Sequence, residues 1–355
     1  MLKTTKRAIA IATTLLAIAA GGAGAAEKKD FTLAWTIYAG WMPWPYAAES
    51  GIVKKWADKY GITITVTQIN DYVESINQYT AGKFDAVTVT NMDTLTIPAA
   101  GGVDSTALII GDYSNGNDGI VLKKGDTLAD IKGRKVNLVE LSVSHYLLAR
   151  GLESVKLSEK DVTVVNTSDA DIVSAFAAPD VTAVVPWNPQ LSEILKMPGA
   201  KQVFSSQQIP GEILDLAVVN TAVLKDNPAF GKALVGAWFE TLALMRQDDA
   251  AGTAAREAMG KLSGTTLEGY EAQLKTTFMY YTPAAAVAFA KSPELRKSTD
   301  LVRTFSFEHG LLGDGAKSKD AVGIAFPGGE VLGSKDNVKM RFDAAFMGLA
   351  ADGKL

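Results

Sequence analysis

The residues of this 355-residue chain best suited to chemistry are carboxylates and aromatic rings that follow short β-branched runs. The stretch WTIYAGWMPWPY, Trp35 to Tyr46, holds three of the six tryptophans and carries no charge. Trp35 and Ile37 lie inside the strand-like part and read as core. Tyr38, Trp41 and Trp44 follow it, beside Gly40, Pro43 and Pro45. Rings placed there can face a solute or fill an interface between lobes. Asp93 follows DAVTVTNM and Asp71 follows ITITVTQIN. Each has two readings, a helix cap or a ligand contact, and Glu74 would complete a capping box with Asp71. Asn91 is a neutral acceptor at the same tip as Asp93. Glu140 ends KVNLVE, a buried-looking run, and a glutamate is seldom buried without a partner. It is therefore a candidate ligand acid. Ser142 caps a helix or binds. His145 is a helix-start residue or a proton carrier. Trp187 lies between Pro186 and Pro189 at a position that mirrors 91–93. Asp215 begins a strand and serves a cleft or a hinge.

The pattern of charge narrows the chemistry. The segments 35–46, 70–72, 91–94, 140–146 and 187–190 contain no lysine or arginine. A site for sulfonate, nitrate or carboxylate would ordinarily offer one such cation. Helix N-termini can substitute, so this weakens an anionic ligand without removing it. Acids and ring faces together favour a small cation, since each ring face attracts one by ~0.5–2 kcal/mol. Catalytic and metal readings are poor. The two histidines, His145 and His309, have no metal-like spacing. Neither a phosphate-binding GxxxxGK[ST] nor a GxSxG occurs. No catalytic residue, metal or cofactor is expected.

Strands alternating with helices must position these residues. FTLAWTI (31–37), ITITVTQI (62–69) and DAVTVT (85–90) read as strands, with helices between. The order recurs in KVNLVE (135–140), DVTVVN (161–166) and VTAVVP (181–186), and two helices are expected to break at matching glycines, Gly51 and Gly151. Repeated βαβ units imply parallel sheets in two α/β lobes. Ligands then bind beyond the carboxyl ends of the strands, where the acids and rings fall. The turn-rich GDYSNGNDG (111–119) and the strand DLAVVN (215–220) are expected to cross between lobes. The tail from about Leu224 is mostly helical, with helical spacing over Ala229–Arg246 and Ala284–Arg303. It is expected to return to the first lobe and cover it. The lobes are thus 26–113 with 221–355, and 114–220.

The N-terminus is read separately. Lys3, Lys6 and Arg7 precede an apolar run from Ala8 to Ala20 and the small residues Ala23-Gly24-Ala25. That is the pattern of an export signal peptide, residues 1–25, cut after Ala25. The run is shorter than the ~20 residues that span a bilayer. The chain has no cysteine, hence no disulfide and no lipidated thiol. Export without an anchor suits a bacterial periplasm. Without the leader's three cations, 32 basic residues face 39 acidic ones. That balance disfavours nucleic acid as a partner.

These segments carry a resemblance. The leader, the duplicated lobes, the run GIVLKKGDTLADIKGRKVNLVELSVSHYLLARGL and the later VTAVVPWNPQ resemble periplasmic solute-binding proteins of ABC importers, in the branch of taurine, alkanesulfonate and thiamine-pyrimidine binding. WTIYAGWMPWPYA and INDYVESINQYTAGKFDAVTVTNMD resemble a subgroup associated with urea carboxylase systems, in which guanidine is a supposed nitrogen source. The resemblance implies a two-lobed α/β fold, type 2-like with two crossovers, acting as a monomer. It implies a receptor that closes on a small solute and delivers it to a membrane permease driven by an ATPase. The tips lack the cation of the sulfonate branch, and this agrees with guanidinium first and urea second. The alternatives are a sulfonate receptor or an enzyme related to thiamine-pyrimidine synthases. The enzyme would need a reactive histidine and an intracellular address.

Overall fold

The computed structural model describes residues 28–355. The expected signal peptide lies outside the described residues. Fourteen strands are described: β1 (Asp30–Trp35), β2 (Thr63–Gln68), β3 (Ala86–Thr90), β4 (Ser105–Ser114), β5 (Gly119–Leu122), β6 (Lys135–Leu138), β7 (Thr163–Asn166), β8 (Ala183–Val184), β9 (Lys201–Ser205), β10 (Leu214–Asn220), β11 (Thr277–Met279), β12 (Gly323–Ala325), β13 (Val331–Leu332) and β14 (Val338–Phe342). They form two sheets. The larger has the order β13-β12-β14-β4-β10-β3-β1-β2, with β11 also on β4. The smaller has the order β7-β6-β8-β5-β9.

The sequence dictates which strands are central. β3, β4 and β10 are buried along nearly their whole length, as apolar runs covered on both faces must be. β2 alternates exposed threonines with half-buried isoleucine and lies at an edge. In the larger sheet β1 is parallel to β2 and β3, whereas β10 runs antiparallel between β3 and β4. The chain leaves this sheet after Ser114 and re-enters it at Leu214. The smaller sheet repeats the pattern, with β6 parallel to β7 and β8 and with β5 antiparallel to β8 and β9.

Two glycines of the expected repeat behave differently. Gly51 has φ 82° and separates the helices Pro43–Glu49 and Ile52–Lys59, a conformation that costs an L-residue dearly. Gly151 breaks nothing, because the helix Val143–Ser154 runs through it. A β-carbon there would lie 2.7 Å from Ile120 Cδ1 and 3.2 Å from Phe204 Cδ1. Gly151 serves close helix–sheet packing. The expected helix over Ala284–Arg303 is two helices, Pro283–Ala290 and Pro293–Glu308. Ser292 caps the second and Pro293 opens it.

The tail packs on the larger sheet. The helix Pro228–Met245 lies against Ile52–Lys59, and Trp238 meets Trp44 with ring centroids 5.1 Å apart. β14 adds to the sheet beside β4. The two sheet units touch across the intervening cleft. Tyr72 donates its backbone N–H to Asp169 Oδ1 at 3.1 Å, Ala39 N–H to Asn188 O at 3.3 Å, and Trp187 Nε1–H to Ile37 O at 3.4 Å.

Candidate functional site

The strand ends converge on one partly open cavity. Its lining includes Tyr38, Trp41, Tyr72 and Trp187, with Asp118, Asp215 and Thr90 between them. Its free volume in this arrangement is about 20 Å3, room for about one water molecule. The rings form a continuous wall. Tyr38 meets Trp41 edge-on at 5.0 Å, Trp41 meets Tyr72 at 5.9 Å, and Tyr72 meets Trp187 edge-on at 5.6 Å. Tyr38 and Trp41 come from the short turn after β1, which breaks the strand before Pro43. Tyr72 is the first residue of the helix Tyr72–Thr80. Asp71 caps that helix by accepting the Glu74 N–H at 2.8 Å, which aims Tyr72 at the cavity.

Two buried aspartates, Asp118 and Asp215, line the cavity, and three more, Asp93, Asp112 and Asp169, are buried behind it and hydrogen-bonded to Tyr72 or Tyr38. Asp112 and Asp215 are opposite one another on β4 and β10. Tyr38 donates its hydroxyl to Asp112 Oδ1 at 2.9 Å. Ser114, at the end of β4, donates to Asp118 Oδ2 at 2.5 Å. Tyr72 and Thr90 donate to Asp93 Oδ2 at 2.7 and 2.8 Å. One oxygen each of Asp93, Asp112 and Asp215 is buried without a hydrogen-bond partner. Among the described residues, no lysine or arginine lines the cavity.

Burial without a countercharge raises these carboxyls. Burial pushes Asp93 up to about 6, against the pull of Tyr72 and Thr90. It pushes Asp112 up to about 7, with the Tyr38 and Asp215 hydrogen bonds opposing and the Asp118 charge adding. Asp118 rises to about 7, again through burial. Asp215 lies well above the ordinary carboxylate range, through burial first and then the charges of Asp112 and Asp118. Near neutrality the empty cavity therefore holds carboxyls poised between neutral and charged forms. It can attract a cation and give up protons as it does so.

The expected site residues divide accordingly. Tyr38, Trp41, Trp187 and Asp215 line the cavity. Asp93 lies one step behind it, through Tyr72 and Thr90. The others do not reach it. Trp44 is buried against Trp238 in the core. Asn91 is consumed by the backbone, donating to Glu212 O at 3.0 Å and accepting from Leu214 N at 3.1 Å. Ser142 caps the Val143–Ser154 helix. His145 faces Glu159 instead. Glu140, expected as a buried ligand acid, is exposed. Its turn after β6 carries it outward, so it joins Asp71, Glu74 and Asp169 around an outer cleft of about 490 Å3. Asp112, Asp118 and Tyr72 were not anticipated. Their signal was present: two acids in the crossing 111–119, and a ring beside a helix cap.

A family model described as NMT1/THI5 like matches residues 46–250. The chain belongs to the NMT1/THI5-like family. The match spans Tyr72, Asp93, Asp112, Asp118, Trp187 and Asp215, while Tyr38 and Trp41 precede it. Among solved structures, the alkanesulfonate-binding protein SsuA of Xanthomonas axonopodis pv. citri, bound to MOPS, aligns with a TM-score of 0.66 at 18% identity, over 84% of this chain and 99% of that one. The periplasmic nitrate-binding protein NrtA of Synechocystis PCC 6803 aligns with a TM-score of 0.63 at 13% identity, over 92% and 89%. The fold is the two-lobed α/β fold of periplasmic binding proteins. A relative from Brucella abortus (strain 2308) is 25% identical over 145 residues. That alignment spans 40% of this NMT1/THI5-like chain and 44% of the relative, less than half of either.

Proposed function

We propose that this protein is the extracytoplasmic solute receptor of an ABC importer and that its solute is guanidinium. The observation that carries the reading is the set of buried aspartates in and directly behind an aromatic cavity that no lysine or arginine lines among the described residues. Anion receptors need donors; of the buried side-chain atoms left unpaired here, Trp41 Nε1–H is a donor, whereas Asp93 Oδ1, Asp112 Oδ2 and Asp215 Oδ2 are acceptors. Guanidinium is planar, positive and all donor, so it suits unpaired carboxylate oxygens and ring faces alike. Urea is neutral and has a carbonyl that needs a donor. Beside it, charged aspartates would remain buried and unpaired at a cost of several kcal/mol. The protonated aspartates could donate to that carbonyl, so urea stands second.

Closure follows from where the acids sit. Asp112 and Asp118 lie at the outgoing crossing between the sheets, and Asp215 lies at the return. In this reading the lobes turn about 112–118 and 215–221. A cation bridging these acids to Trp187 of the other lobe favours the closed arrangement. The permease and ATPase receive the closed receptor in the periplasm, after cleavage of residues 1–25. No helix among the described residues is long and apolar enough to cross a membrane.

Calorimetric titration with guanidinium, urea and taurine tests the assignment. Saturable one-to-one binding of guanidinium, weaker urea and no taurine signal is expected. Tight taurine binding without a guanidinium signal would overturn it.

A further inference from the structure

A second polar cluster lies outside the solute cavity. Glu159 receives two histidines, His145 Nε2 on Oε1 at 2.5 Å and His309 Nε2 on Oε2 at 2.6 Å. His309 lies 150 residues from Glu159 and belongs to the other unit. His145 is on the Val143–Ser154 helix, and Glu159 precedes β7, so both go with the smaller sheet. His309 ends the helix Pro293–Glu308, which packs against the Asn91–Thr94 turn of the larger unit.

The hydrogen bonds fix where the protons are. His145 Nδ1 accepts the Leu141 backbone N–H at 3.1 Å, so its proton is on Nε2 and points to Glu159. His309 differs. Its Nδ1 lies 2.8 Å from the Phe305 carbonyl and its Nε2 lies against the Glu159 carboxylate. Both neighbours are acceptors, so both ring nitrogens must donate. Only imidazolium does that. A metal ion fits less well. A ligating Nε2 needs its lone pair and a proton on Nδ1, and His145 Nδ1 already accepts from Leu141.

We propose that His309 and Glu159 form a pH-dependent tie between the two lobes, made when His309 is protonated and released when it is neutral. Neutral His309 keeps its Nδ1–H on Phe305 and turns a lone pair toward the carboxylate, so attraction becomes repulsion. The surroundings favour the tie. Phe305 stacks on His309 at 3.9 Å and meets Tyr146 edge-on at 5.2 Å. The other charged groups lining this groove are Glu308 on the same helix and Arg150 and Glu153 on the facing helix. Arg150 is held by Glu212 and Glu153. Glu159 is held down to about 2 by the two histidine hydrogen bonds, and the same contact raises His309. A raised histidine stabilises below its ordinary value of ~6.5 and loses that contribution as pH rises through its folded value. The tie is therefore complete in mildly acidic solution and lost in alkaline solution.

Nitrogen-detected NMR of the imidazoles, with hydrogen exchange, tests this on the processed chain. Near pH 6, His309 should carry protons on both nitrogens. Between about pH 6 and 9, exchange protection of Val143–Ser154 and Pro293–Glu308, corrected for intrinsic rates, should fall by about tenfold, the size of one charge-assisted hydrogen bond. H309Q keeps a neutral donor at every pH and should flatten that dependence. E159Q should lower the His309 titration midpoint. A singly protonated His309 near pH 6, or an H309Q profile identical to wild type, overturns the tie. So does Zn2+ raising the melting temperature in wild type but not in E159Q, which would make the cluster a metal site.

Discussion

Asp112 and Asp215 are register partners on the adjacent antiparallel strands β4 and β10, so two buried carboxyls occupy one face at the point where the chain leaves and re-enters the larger sheet. Like charges placed directly opposite are destabilising. Two such acids relieve this by retaining a proton or by sharing a cation.

The first prediction concerns the empty protein. Asp93 sits near 6, and Asp112 and Asp118 near 7, above the ordinary ~3.9 of an aspartate. A carboxyl raised on folding stabilises below its unfolded value and loses that contribution as pH rises through its folded value. Melting temperature without solute should therefore fall between about pH 5 and 8. Guanidinium should restore it most at the upper end. Scanning calorimetry across that range checks both trends, and a solute shift that shrinks with rising pH would count against a cation.

Removing one acid should separate stability from binding. Asp215→Asn and Asp112→Asn keep shape and relieve repulsion, so each should raise the melting temperature of the empty protein. A charge-assisted hydrogen bond contributes ~1.5–3 kcal/mol, so each should also weaken guanidinium by more than about tenfold. Thermal scans and calorimetry on the same samples decide. Unchanged affinity in Asp215→Asn would remove that residue from the site.

Two glycines offer a matched control. A β-carbon on Gly40 would lie 2.5 Å from both Asp112 Oδ2 and Tyr38 Cε1. Gly40→Ala should therefore displace the Tyr38–Asp112 pair and abolish binding while leaving a folded protein. Gly151→Ala crowds Ile120 instead and should cost about 1–3 kcal/mol of stability with affinity unchanged in the folded fraction. Circular dichroism and calorimetry distinguish the two outcomes.

Glu140 is exposed in the outer cleft with Asp71 and Glu74. A charge there steers encounter rather than holds solute. Glu140→Gln should slow association at low salt and leave the dissociation rate within about twofold. Stopped-flow tryptophan fluorescence at two ionic strengths measures this.

The strands were legible because β-branched alternation and apolar runs mark them directly. DAVTVT is β3 extended by one residue, and DLAVVN lies within β10. The aromatic cavity was legible in Tyr38, Trp41 and Trp187, since proline and glycine leave those rings nowhere regular to go. The acids were harder. Whether a carboxylate at a strand end turns inward depends on register, which changes face with every residue. That rule sends Asp215 in, while the turn after β6 sends Glu140 out. GDYSNGNDG looked like a linker for its turn formers, yet it carries Asp112 and Asp118 into the site. The Glu159–His309 contact spans 150 residues and leaves no local pattern.

The most direct test of a positively charged solute is the proton count on binding. Guanidinium should be titrated calorimetrically near pH 7 in two buffers of different ionisation enthalpy. Carboxyls that are partly neutral when the cavity is empty must ionise around a cation, so the account predicts net proton release and affinity that rises with pH. Proton uptake, or no guanidinium heat while an anion binds, would contradict it.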